Sequence, residues 1–339
     1  MSQPIGDDVN SYRGKRVLIT GTGYIAAAIV RLLGQVECEI AVLRRPSALS
    51  LPKQAGRAVL VDLPHGYWDR DAWASAIAGA SAVIHLAAQT GARQAEIDRL
   101  ADYTASVAPL ALLLEACRDG GQRPVVVFAS SVTVLGSPDH LPADETATPR
   151  PFGVYEIHKL LGEFYLADAV AKQQVRGTSL RIPNVYGPGP LSSSGERGVL
   201  GRVVRNAMQS GQINIYGDGA MLRDYLFVDD VAAAFLAVAP AIDSIRLPAY
   251  LLAGGAPLSL ADSFKKAAAR VEELTGKAVA VAHVPPPQGS QAADFRSYFG
   301  NARAFHDATG WRPAVDFDEG LRRTVMAIRN EGEARPWPQ

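Results

Sequence analysis

The chain has 339 residues, with Lys+Arg and Asp+Glu both at 34 and a formal net charge of zero. That balance leaves no global basic surface for nucleic acid and no acidic excess for disorder, and the length exceeds what one core usually fills, so a large domain with a smaller one attached is expected. No run of about eighteen apolar residues is present, and Met1 to Lys15 is polar, which predicts a soluble, cytoplasmic protein without a membrane span or secretory signal.

Arg16 to Thr20 (RVLIT) reads as a short buried strand, and Gly21-Thr22-Gly23-Tyr24-Ile25-Ala26 turns directly into the helical run Ala27 to Leu33. A strand, glycine turn and helix in this order present backbone N–H groups and the positive end of a helix dipole to a pyrophosphate. Gly21 permits the tight turn, Gly23 the close approach of backbone to ligand, and Ala26 the packing of helix on strand. An ordinary strand-to-helix turn is the alternative. The next strand, Glu39 to Leu43, ends in Arg44-Arg45, about twenty residues on, where a dinucleotide fold inspects the adenosine ribose. Paired guanidiniums suit the 2′-phosphate of NADP, whereas an acidic residue there would favour NAD. A solvated basic turn is the competing reading. Asp62, after the apolar run Ala58 to Val61, is placed to accept a hydrogen bond from the adenine amine.

Further strands are expected at 82–86, 125–129, 178–182 and 249–253, alternating with helices, among them a long apolar one over Ala101 to Cys117. This alternation predicts right-handed βαβ crossovers, and hence an α/β, Rossmann-type doubly wound parallel sheet. Cys38 and Cys117 sit in apolar segments without metal-ligand spacing and read as reduced core thiols. Past Tyr186-Gly187-Pro188-Gly189-Pro190 the pattern becomes irregular, while Val228 to Ala239 and Tyr250 to Gly255 read as a helix and strand returning to the sheet. The expected division is therefore a dinucleotide domain over 12–186 plus about 224–256, and a smaller, interleaved C-terminal substrate domain over about 187–223 plus 257–330.

The chemistry is concentrated in Tyr155-Glu156-Ile157-His158-Lys159, downstream of Ser130-Ser131. Residues four apart on a helix lie one above the other, so the Tyr155 phenol and the Lys159 ammonium face the same spot. A nearby cation favours the phenolate, which predicts a lowered Tyr155 pKa, and the Ser131 hydroxyl can hold a substrate oxygen. His85 reads as a structural, hydrogen-bonded imidazole. His158 is expected to be solvated or at a subunit contact, and no metal is predicted.

Together with Val83-Ile84-His85-Leu86-Ala87-Ala88, Leu180-Arg181-Ile182-Pro183-Asn184-Val185-Tyr186-Gly187-Pro188, Tyr216-Gly217-Asp218-Gly219, Arg223-Asp224-Tyr225, Val228-Asp229-Asp230-Val231 and Thr309-Gly310-Trp311-Arg312-Pro313, these motifs form an ordered series. The chain resembles an extended short-chain dehydrogenase/reductase of the NAD(P)-dependent nucleotide-sugar epimerase/dehydratase type, from about Arg16 to about Val325. The resemblance implies that Tyr155 exchanges the proton, that Lys159 binds the nicotinamide ribose, and that Ser131, with Val132 beside it, meets the reacting sugar. It implies a cofactor site of Gly21, Gly23, Tyr24, Ile25, Arg44, Arg45, Asp62, Leu63, Leu86, Ala87, Ala88, Tyr155, Lys159 and Pro183. It also implies that Asn184, Arg223 and Arg296 hold the nucleotide diphosphate of a nucleotide-sugar substrate, although a salt bridge to Asp224 or Asp229 is the alternative for Arg223. A homodimer through the Ala101–Cys117 helix and the helix bearing Tyr155 is implied as well. The chain departs from the family's usual pattern in a glycine turn one residue shorter that ends in Ala26, in Ser106 where asparagine is usual, and in Leu135 where tyrosine is common.

A dehydratase of this type needs an Asp-Glu pair after the catalytic hydroxyl, where this chain has Val132 and Thr133, and neither can transfer that proton near neutral pH. An epimerase-reductase needs an added Cys or His, and none lies between Lys159 and His283. What is left is hydride transfer alone. It is either an NADPH-dependent 4-ketoreductase acting on a nucleotide-linked, dTDP-type 4-keto-6-deoxyhexose, favoured by Arg44-Arg45 and by the likeness of 193–199 to the matching reductase loop, or an NAD-dependent C4 epimerase. A non-catalytic dinucleotide sensor or scaffold is the third reading, opposed by the joint presence of Ser131, Tyr155 and Lys159.

Overall fold

Val17 to Thr20, Ile40 to Leu43 and Val125 to Ser131 are each buried without a break, the signature of parallel strands covered on both faces. The computed structural model describes residues 7–44, 58–62, 69–89, 91–189, 198–286 and 295–334. The first half of the chain runs α1 (Asp7–Asn10), β1 (Arg16–Thr20), α2 (Tyr24–Leu33), β2 (Glu39–Arg44), β3 (Ala58–Asp62), α3 (Arg70–Ile77), β4 (Ala80–His85), α4 (Ala92–Ile97), α5 (Arg99–Ser106), α6 (Ala108–Asp119), β5 (Val125–Ser131), α7 (Val154–Ala171) and β6 (Arg176–Ile182). The single apolar helix expected over Ala101–Cys117 is two helices. Pro109 has no N–H to give, and its ring collides with the carbonyl four residues back, so the helix breaks at Val107. Arg99–Asp119 is long and apolar enough to cross a bilayer, yet just over half of its apolar stretch is buried, in contact with α3 and α7.

The second half runs β7 (Asn184–Tyr186), α8 (Gly198–Ser210), β8 (Gln212–Tyr216), β9 (Leu222–Arg223), β10 (Tyr225–Phe227), α9 (Val228–Ala237), β11 (Ala249–Leu251), β12 (Leu258–Ser259), α10 (Leu260–Thr275), β13 (Ala280–Val284), α11 (Arg303–Thr309) and α12 (Phe317–Ala334). The main sheet has seven parallel strands in the order β3-β2-β1-β4-β5-β6-β11, so β11 does return to it, and α9 packs beside α2. Alternate residues of β1 feed two cores: Val17 and Ile19 join residues of α2 and α9, and Leu18 joins residues of α3, α6 and α7. Strand order reverses between β1 and β4. In open parallel sheets the crevice above that point is where ligands bind.

Outside the main sheet, β8 pairs with β13 in parallel, β9 with β12 antiparallel, and α8, α10 and α12 pack together. Two distant motifs meet to attach this layer. The Asp230 carboxylate accepts the Ala314 and Val315 N–H groups, each at 3.0 Å, and Trp311 Nε1 donates to the Asp230 carbonyl at 3.0 Å.

Candidate functional site

Strand β5 ends at Ser131, which also caps the short 3₁₀ turn Val132–Leu135, its Oγ accepting from the Thr133 N–H at 3.2 Å and lying 2.9 Å from Thr133 Oγ1. The first two turns of α7 carry Tyr155 and Lys159. Ser131 is near enough to the Tyr155 phenol to favour its ionised form, and the Lys159 ammonium lies 5.9 Å from the Tyr155 ring centroid. The ammonium does not serve the phenol directly: it donates to the Ala129 carbonyl at 2.7 Å and stands 5.2 Å from the centre of the Phe128 ring. The expected lowering of the Tyr155 pKa is therefore not what the folded chain produces. Burial pushes the phenol up to about 12, Glu156 and Asp102 add to the rise, and the Ser131 hydroxyl opposes it. Burial pulls Lys159 down to about 8, against the attraction of Asp102 and Glu163. Behind them Arg181 grips both oxygens of buried Glu163, at 2.8 and 3.0 Å, and Ser130 Oγ donates to Glu163 at 2.5 Å, which anchors α7 to β5 and β6.

His158 is neither solvated nor idle. Its Nδ1 lies 2.6 Å from Oδ2 of the fully buried Asp102 on α5, and Tyr103 meets its ring edge-on. His85 is the structural imidazole expected. Thr20 Oγ1 accepts from the Leu86 and Ala87 N–H groups at 3.1 Å each, so its single proton goes to His85 Nδ1 at 3.0 Å, and burial drives the ring's pKa down to about 3.

The glycine turn fits a dinucleotide. Gly21 has φ +89° against the Ala87 backbone, a conformation that L side chains rarely adopt. Gly23 is exposed, a Cβ there would meet nothing within 4 Å, and no side chain caps the start of α2, so Tyr24 and Ile25 open a helix end suited to a pyrophosphate. Leu86, Ala87 and Ala88 follow β4 on the other wall, and Arg44 ends β2 opposite Asp62, one residue after the Leu43 carbonyl that accepts from Gly21. Arg45, Leu63, the Asp62 side chain and residues 193–197 lie outside the described residues.

A cavity of about 840 Å³ opens beyond Ser131 and is lined by Ser131, Val132, Pro183, Asn184, Arg223 and Arg296, all of which the sequence had singled out. Asn184 Nδ2 donates to the Asp224 carbonyl at 3.1 Å, and Arg223 Nη1 donates to the Leu222 and Arg296 carbonyls. Of the two carboxylates offered as alternative partners for Arg223, Asp224 accepts from the Gly254 and Gly300 N–H groups, and Asp229 pairs with Arg31. Sequence reading missed Arg93, Arg202, Asn206, Asn214 and Tyr298, which line the same space. A signal existed for two of them: Val199, Arg202, Val203, Asn206 and Ser210 recur at helical spacing and form the face of α8 turned to the cavity. Tyr216, quoted only as part of a motif, lines it too.

The sequence profile of the NAD dependent epimerase/dehydratase family matches residues 17–253. A UDP-glucose 4-epimerase of Mycolicibacterium smegmatis is 31% identical over 254 residues, 74% of this chain and 77% of that protein. A dTDP-4-dehydro-6-deoxy-D-allose reductase of a Streptomyces species is 27% identical over 263 residues, 74% and 79% of the two chains. The crystal structure of a UDP-glucose 4-epimerase with UDP-glucose, from Thermotoga maritima, is similar with a TM-score of 0.81 at 26% identity, covering 93% of this chain and 99% of that one. The chain belongs to the NAD dependent epimerase/dehydratase family and is an enzyme of the nucleotide-sugar epimerase and reductase kind, with a Rossmann-type sheet carrying its glycine turn, Ser131, Tyr155 and Lys159.

Proposed function

We propose that the protein is an NADPH-dependent 4-ketoreductase for a nucleotide-linked, dTDP-type 4-keto-6-deoxyhexose. The observation that carries this reading is the Tyr155 phenol near Ser131 with no carboxyl at the two positions that follow that hydroxyl. Tyr155 is held well above neutrality next to Ser131, and the following positions, Val132 and Thr133, bear no carboxyl. A protonated phenol is the acid that reduction of a ketone requires. The cofactor, when bound, supplies the hydride to C4. Tyr155 gives its proton to the C4 oxygen, Ser131 orients that oxygen by a hydrogen bond, and Lys159 is a cation 5.9 Å from the ring of the phenolate left behind. Arg223 and Arg296, planar forks in the cavity wall, suit a diphosphate, and Asn184 lines the same cavity. Arg44, at the end of β2, supports NADP over NAD.

C4 epimerisation on NAD is the second reading, favoured by the likeness to UDP-glucose 4-epimerases over three quarters of the chain. NADPH absorbance, followed as purified protein meets a dTDP-4-keto-6-deoxyhexose with NADH run in parallel, separates the two. Stoichiometric consumption that Tyr155→Phe removes is expected. No consumption, with NAD released on denaturation, moves the assignment to the epimerase.

The same reading includes a cytoplasmic homodimer. Ile97, Leu100, Ile157, Phe164 and Tyr165, on the mutually packed α4, α5 and α7, are exposed apolar side chains that a second copy of the chain would cover.

A further inference from the structure

We propose that Phe152 is a positioning residue whose ring holds the Arg296 guanidinium in place for the diphosphate of the substrate. The Arg296 fork stands over that ring, 5.3 Å from its centre, within the range at which a cation is drawn to an aromatic face. Phe152 is 54% exposed and, among the described residues, belongs to none of the buried apolar clusters, so burial does not account for an aromatic side chain at this position. Phe152 does not line the cavity, whereas Arg296 does, which makes the role one of support and not of contact with the ligand.

The backbone around Arg296 is fixed from two sides. Leu222 accepts from the Tyr298 N–H and donates its own N–H to Ser297 Oγ, each at 3.0 Å, and Arg223 donates to the Arg296 carbonyl. On the other side, the Ala143 N–H donates to the Phe299 carbonyl at 2.9 Å, and the Ala143 carbonyl accepts from the Asn301 N–H at 2.8 Å. These bonds settle where the Arg296 side chain starts, and its long stem leaves open where the fork ends. An arginine gives up rotamer freedom when it grips a ligand, and a ring that already holds the fork takes part of that loss before the ligand arrives. Phe152 directly precedes Gly153, the N-cap of α7, and stands three residues before Tyr155. The stack therefore joins the segment that carries Arg296 to the start of the helix that carries Tyr155, so the grip on the diphosphate is set relative to the reacting end of the site.

The inference rests on the reading of Arg296 as a diphosphate ligand, and Arg296→Leu tests that reading separately. Calorimetric titration of the purified protein with dTDP and with UDP gives Kd for the wild type, Phe152→Leu, Phe152→Trp, Arg296→Leu and the double variant Phe152→Leu/Arg296→Leu. Phe152→Leu keeps an apolar side chain and removes the aromatic face, so Kd is expected to rise about 3- to 10-fold. Phe152→Trp, the better partner for a cation, is expected to bind at least as tightly as the wild type. In the Arg296→Leu background Phe152→Leu has no further effect, because the ring acts through that guanidinium. KM for the nucleotide sugar follows Kd. An unchanged Kd in Phe152→Leu, equal losses from Phe152→Leu with and without Arg296, or a fall in kcat in place of the rise in Kd overturns the proposal. Arg296→Leu that binds as the wild type does, or a wild type that binds neither nucleotide, removes the diphosphate site and the proposal with it.

Discussion

Replacing Gly162 with alanine sets helix propensity against packing at the place where α7 holds the proton-handling pair. An ideal Cβ at Gly162 comes 2.5 and 2.7 Å from ring carbons of Phe128 and 3.4 Å from Leu110 Cδ2. Phe128 has no room to swing: it is 1% exposed, with the Lys159 ammonium 5.2 Å and the His85 ring 5.9 Å from its centre. Alanine in a helix interior gains about 1 kcal/mol over glycine. Overpacking a rigid core costs about 1–3 kcal/mol. With two contacts inside the distance that real Cβ atoms keep, the cost lies toward the upper end of that range, and packing wins by up to about 2 kcal/mol. The cheaper relief is for α7 to lift off β5, which carries Lys159, three residues earlier, away from Ala129, and Tyr155 on the same helix away from Ser131. A misplacement on the order of 1 Å costs about 100-fold in rate, so turnover falls far more than stability does. Urea unfolding followed by far-UV circular dichroism gives the stability term, and NADPH-linked turnover gives the rate. Adding Phe128→Leu to Gly162→Ala removes the offending ring carbons and recovers part of both losses. A higher urea midpoint with unchanged kcat would mean that propensity had won, and the packing argument would be wrong.

Three further outcomes are expected. Arg223→Leu removes a charge-assisted contact worth about 1.5–3 kcal/mol, so KM for the nucleotide sugar rises about 10- to 100-fold in steady-state kinetics while kcat changes little; an unchanged KM would remove Arg223 from the diphosphate site. Burial raises the Asp224 carboxyl from 3.8 to about 6, so the folded chain holds that proton more tightly than the unfolded chain does. Asp224 therefore destabilises the fold above that pH and the penalty is relieved as pH falls toward 4; in Asp224→Asn that contribution is gone, and identical pH dependence of the urea midpoints in the two proteins refutes the assignment. Phe164, 61% exposed on α7, is replaced by aspartate to test the second copy: size exclusion with light scattering is expected to give a dimer for the wild type and a monomer for the variant, and a wild-type monomer ends that reading.

The chain by itself determined the sheet and the identity of its chemical groups, because both are written in local pattern. Parallel strands covered on both faces are mostly apolar runs, and all seven were legible within a few residues of their observed ends, although β6 carries Thr178, Ser179 and Arg181. Gly21 marks a turn because few other residues tolerate its positive φ, and Tyr155 and Lys159 share a face because a helix repeats every 3.6 residues. Long-range burial decided the rest. Whether Lys159 lowers the Tyr155 pKa depends on what else surrounds the phenol, and the summed effect of burial, Glu156 and Asp102 reversed the expected direction. His158 looked like a surface residue because its partner, Asp102, lies 56 residues away and no spacing rule connects them. Arg93, Arg202 and Tyr298 became cavity residues only when α4, α8 and the segment before α11 closed over the carboxyl ends of β5 and β6. Pattern in a sequence reports what each residue does to its own backbone; proton affinity and cavity shape come from neighbours brought in by the whole fold.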